Sequence, residues 1–138
     1  MRKIKFRAKS KLTNEWLYSC MILQTGSPNV QFIARLDENH KIDLEIIKPE
    51  TLGEFTGLQD INGKDIYEGD IIESVEDADH KFRYTVFFDN SAFRVKHQKF
   101  NEFGVFNVLY VVLKMTKCKV VGSIHDNPEL LEADNERY

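Results

Sequence analysis

The run from Thr56 to Ile72, TGLQDINGKDIYEGDII, sets two tight corners, Asn62-Gly63 and Glu68-Gly69-Asp70, among the apolar residues Ile61, Ile66, Tyr67, Ile71 and Ile72. Glycine reaches backbone angles that cost other residues free energy, and Asn or Asp tolerates them while hydrogen-bonding its own backbone. A segment that spends so many positions on geometry organises a fold and assembles no reactive groups. Thr56, Gly57, Asn62, Gly63, Tyr67, Glu68, Gly69 and Asp70 are therefore read as a structural signature.

The chain on either side reads mostly as strands. Ile4, Phe6 and Ala8 alternate with Lys3, Lys5, Arg7 and Lys9, a period of two that predicts one buried and one basic face. Trp16 to Leu23 follows as the partner of a hairpin, and Val30 to Leu36 and Ile42 to Ile47 as further strands. A strand is launched from Gly69-Asp70, and Phe82 to Phe88 pairs with Ala92 to Lys96 through Asp89-Asn90-Ser91. In Phe103 to Leu113, Phe103, Phe106, Tyr110 and Leu113 fit a helical stripe while four valines favour extension; a helix is the reading taken. Lys117 to Ile124 is another strand. Asn127-Pro128-Glu129 marks a helix start, with an Asn cap and Pro at the first helical position.

The expected class is mainly β, with α+β the alternative, and one or two short helices near the C-terminus. The 138 residues suit one domain. Within it a hairpin region spans 1–50, a signature-bearing β region 51–126 and a helical tail 127–138. Ten Phe, five Tyr and one Trp point the same way, because aromatic side chains favour pleated, half-buried surfaces. No run approaches the roughly 18–20 apolar residues of a membrane helix, and no signal-peptide core follows the basic start. Cys20 and Cys118 are expected to be buried, reduced thiols, so the cytosol is the expected compartment.

Charge is segregated. Residues 1–36 hold seven Lys/Arg and one acid, 37–79 three against fourteen, 80–120 eight against two, and 121–138 one against five. Such blocks complement one another within or between subunits, or present a basic face to a polyanion.

Three segments together resemble the YopX family of bacteriophage and prophage proteins: Ile4 to Ala8 (IKFRA), the central signature, and Val120 to Leu131 (VVGSIHDNPELL). One departure is visible, because the family's opening commonly runs into a Trp-Asp pair and here Lys9-Ser10 follows Ala8. The resemblance implies a predominantly β fold of unsettled function, with no catalytic or binding residues to carry over. The YEGDII run is also similar to a strand start of SH3-like small barrels, which places such an element around residues 55–98. That local likeness confers no function.

Reactive chemistry finds little footing. Asp77, Asp79 and His80 are close in sequence, but zinc needs three or four converging ligands, and a solvated acidic loop is the stronger reading. His40, His97 and His125 read as surface residues. The serines lack a nucleophile elbow, and alternation places Lys117 and Lys119 opposite Cys118, so its thiol is not activated. Asp65, Glu68 and Asp70 suit turn-making better than acid–base work. Neither a metal nor a cofactor is expected, nor catalysis. The expectation is a phage-derived binding module whose partner is itself or another protein, without membrane association. The alternative is a nucleic-acid-associated module that uses the row Lys3, Lys5, Arg7 and Lys9 as a polyanion-binding face.

Overall fold

The computed structural model describes residues 2–75, 81–97 and 107–132. These form antiparallel strands with a few short helical turns, the mainly β architecture expected. The chain divides into two compact units, Met1–Phe55 and Thr56–Tyr138. The division falls inside a strand, where apolar residues separate into two clusters.

In the first unit, β1 (Phe6–Lys9) pairs with β2 (Trp16–Ser19), with Lys9 opposite Trp16 and Arg7 opposite Tyr18. The intervening turn is built by Ser10, whose Oγ accepts the Leu12 and Thr13 N–H groups at 3.2 Å, while Asn14 takes a φ of 61°. Three further strands, β3 (Met21–Gln24), β4 (Gln31–Leu36) and β5 (Ile42–Ile46), form a sheet in that order. Asp37 closes the β4–β5 turn by accepting the Asn39 and Lys41 N–H groups at 2.8 and 2.9 Å. Ala8, Leu17, Ile33 and Ile47 are the core, with Ile22 and Leu52 against them. A 3-10 turn at Pro49–Thr51 leads into β6 (Gly53–Gln59), whose first residues pair with β1.

In the second unit the end of β6 pairs with β7 (Asp65–Tyr67). Then β8 (Asp70–Ser74), β9 (Arg83–Asp89) and β10 (Ala92–His97) run as a meander, and β11 (Cys118–Ser123) joins the free side of β8. The β9–β10 turn is Asn90-Ser91, with φ of 47° and 62°, the left-handed pair that matches strand twist in a two-residue connection. The core comprises Ile66, Ile72, Val86, Val95, Leu109, Val112 and Cys118.

The helix expected from Phe103 is α1 (Leu109–Met115); residues 103–106 lie outside the described residues. Its inward stripe is Leu109 and Val112 with Leu113 partly buried, and Tyr110 is exposed. Packing of that i, i+3, i+4 stripe overrides the valines' preference for extension. The last helix, α2 (Glu129–Glu132), lies where expected. Asn127 does not direct its side chain to α2. Its Oδ1 accepts the Ser123 N–H at 3.2 Å and closes the end of β11.

Candidate functional site

The signature folds into a set of backbone clasps. At its first corner, Asp60 Oδ1 accepts the Asn62 and Lys64 N–H groups at 2.8 and 2.9 Å, and its Oδ2 accepts the Val120 N–H of β11 at 2.9 Å. Gly63, at φ 80°, supplies the left-handed residue that turns the chain back. One carboxylate thus shapes a turn and fastens it to a strand sixty residues away in sequence.

At the second corner, Asp70 Oδ2 accepts the Tyr67 N–H at 2.8 Å, with Gly69 at φ 88° between them. The Gly69 N–H donates to Val86 O at 2.8 Å, and its carbonyl accepts the Ile124 N–H at 2.8 Å. Thr56 Oγ1 donates to Ile66 O at 2.8 Å and accepts the Leu58 N–H, with Gly57 at φ 83° inside β6. Asp60 and Asp70 are 8% and 2% exposed. Both carboxylates are committed to backbone donors, as charge-assisted bonds to buried N–H groups favour. Glu68 is half-buried and Asn62 exposed.

The basic row of β1 does not form an open face. Lys3 is exposed and Lys5 half-buried with its Nζ 4.4 Å from the Phe55 ring centroid. Arg7 and Lys9 are each only 6% exposed. Arg7 Cζ lies 4.3 Å and Lys9 Nζ 5.3 Å from the Trp16 ring centroid. The hairpin register explains this: Lys9 faces Trp16 and Arg7 is its diagonal neighbour, so the long stems lie along the indole and the cations meet its π face. The expectation of four cations on one wet face is corrected for Arg7 and Lys9.

His97 is corrected too. It is buried, with the rings of Phe82 and Tyr84 at 5.6 and 5.4 Å. Burial pushes the Tyr84 phenol above its usual range, and Cys118 acts in the same direction. Glu73 is buried opposite Arg83. The Arg83 Nε donates to its carboxylate at 2.8 Å and Nη1 to Leu130 O at 2.8 Å. Cys118 is buried as expected, but Cys20 is exposed, in the short step between β2 and β3; neither is in a disulfide. Cys20 borders a shallow pocket of about 360 Å³ with Phe6, Ile22, Gln24 and Leu52.

Among the described residues, no three His, Cys, Asp or Glu side chains converge as metal ligands would. Asp77, Asp79 and His80 lie outside the described residues. Among the described residues, no helix is long and apolar enough to cross a membrane.

Sequence reasoning missed Asp60 as the central acceptor, although Asp60-Ile61-Asn62-Gly63 is an Asx-turn pattern. It also missed the enclosed Glu73–Arg83 pair, for which no local signal exists, because the two meet only through pairing of β8 with β9.

The comparisons agree with this architecture. The model of the family described as YopX protein matches residues 5–132. Among solved structures, the chain is similar to the crystal structure of protein EF1440 from Enterococcus faecalis, with a TM-score of 0.57 and 22% identity. That match covers 95% of this chain and 99% of the other, and at this identity it shows the fold alone. None of the curated proteins compared with the chain matches it.

Proposed function

The chain belongs to the YopX protein family, and from that premise we propose that it is a non-catalytic, phage- or prophage-encoded module that works in the bacterial cytoplasm by associating with itself. The observation that carries the reading is the use made of the signature. Its buried carboxylates, Asp60 and Asp70, accept backbone N–H groups at corners, so they hold the scaffold. A general acid or base needs a carboxyl aimed at a substrate; these two are aimed at the chain. Phage origin rests on the family resemblance. The β8–β9–β10 meander beginning at Gly69-Asp70 supports the SH3-like comparison at the level of local pattern.

The nucleic-acid reading has less support. Phosphate contact needs cations that reach solvent, and Arg7 and Lys9 are enclosed against Trp16. Light scattering coupled to sizing chromatography, run over a concentration and salt series, tests the proposal. A reversible oligomer is expected; a monomer under every condition overturns it. Fluorescence anisotropy with mixed-sequence DNA and RNA tests the alternative. Salt-dependent binding that is lost on Lys3→Ser with Lys11→Ser, the exposed lysines at the start of the row and just past its end, would restore that alternative.

A further inference from the structure

The three-stranded sheet β3-β4-β5 shows its apolar side to solvent. Antiparallel register places directly opposed residues on one face. Met21, Ala34 and Leu44 make one row, Leu23, Phe32 and Ile46 a second, and Leu36 with Ile42 a third. Every side chain in these rows is apolar. Five of them are well exposed: Met21 36%, Leu23 47%, Leu36 61%, Ile42 66% and Leu44 49%, around a centre where Ala34 is covered by its neighbours' larger side chains at 4% and Phe32 and Ile46 are half-buried. The reverse face carries Ile22 and Ile33, which join the core, and the Arg35–Glu45 ion pair at 3.3 Å. A half-buried sheet ordinarily turns its polar alternates to water; this one turns apolar ones.

We infer that this face is the surface through which two copies of the chain associate, sheet against sheet. The inference rests on the self-association reading and names its surface. Area supports it. The five exposed residues put a few hundred Å² of apolar surface in water, the size of the largest patch on a typical monomer, about 300–600 Å² and often functional. A standard interface takes about 800 Å² from each partner, of which about 60% is apolar, so a patch of this size supplies much of the apolar part of one side of a dimer.

Chemistry supports a second copy as the occupant. No charged side chain stands in the three rows. A two-fold axis sets each residue against its own kind or a near neighbour, and a face without charge brings no like charges together there. Sheets packed face to face lie about 10 Å apart with side chains interdigitating, a geometry that leucine and isoleucine rows satisfy.

The test is sedimentation of the full chain from micromolar to millimolar concentration, at low and high salt. Wild type, Leu44→Glu, Leu23→Lys and the control Ile61→Glu, exposed but in the second unit, would be compared, with circular dichroism on each. The wild type and the control are expected to dimerise equally, undiminished by salt. Leu44→Glu and Leu23→Lys are expected to weaken the dimer by about a hundredfold or more while keeping their spectra, because each buries a charge in an apolar contact. If Leu44→Glu lost its fold, Leu23→Lys would decide. Folded variants that dimerise like the wild type would overturn this face and leave self-association standing, by strand edges or charged patches. A wild type that stays monomeric throughout overturns both.

Discussion

The signature corners and the β3–β5 sheet solve opposite problems with similar raw material. Around Thr56–Ile72, polar side chains turn inward: Asp60 and Asp70 are nearly covered and are hydrogen-bonded to backbone, in a segment that also buries Ile66, Tyr67, Ile71 and Ile72. Along β3, β4 and β5, apolar side chains turn outward, and Ile42 and Leu36 are more than 60% exposed. Both segments are rich in isoleucine and leucine and carry charged residues among them. The difference teaches that a polar residue's value depends on whether the backbone beside it has donors left over. Corners leave N–H groups unpaired and recruit carboxylates to them. On the central strand β4 both neighbours take the backbone groups, so its charged Arg35 looks to a side chain, the carboxylate of Glu45.

If that contrast is right, the largest effect in the molecule comes from the first corner. Asp60→Ala would strand three backbone donors and is expected to cost about 3 kcal/mol or more, read as a lower urea midpoint. Asp60→Asn, which keeps an acceptor for part of the set, should cost clearly less. Equal losses would mean that charge matters more than acceptor geometry.

A smaller effect is expected where β11 ends. A Cβ on Gly122 would stand 2.4 Å from Asn127 Oδ1 and 2.9 Å from its Cβ. Gly122→Ala should therefore displace Asn127 from the Ser123 N–H and cost about 1–2 kcal/mol. The pair with Asn127→Ala should be clearly non-additive in a double-mutant cycle. Additive losses would show that the close approach is not what selects glycine there.

The smallest effect is expected on the outward sheet. Ile42→Glu, measured under dilute conditions, should change stability by no more than about 0.5 kcal/mol, as exposed substitutions usually do. A loss several times larger would place Ile42 inside the folded unit's own packing and erase the contrast.

Much of the fold is legible along the chain because its cues are local. Asn90-Ser91 joins two alternating strands, Gly69-Asp70 starts β8, and Pro128 precedes α2. Each depends on the backbone needs of a few neighbouring residues. The candidate site was less legible. Arg7 and Lys9 belong to a wet basic face by alternation, yet Trp16 across the hairpin covers them. His97 ends a strand in sequence but is buried against the rings of Phe82 and Tyr84. Alternation states that the two sides of a strand differ and leaves open which one meets water.

By itself the sequence determined the corners, the strand-rich class and the family, because turn chemistry and side-chain periodicity act within a few residues. The tertiary structure alone decided which side of each strand is enclosed. It joined Asp60 to Val120 and Glu73 to Arg83, and left the apolar rows of β3–β5 exposed. Burial depends on what lies across the pleat, and residues far apart in the chain supply that.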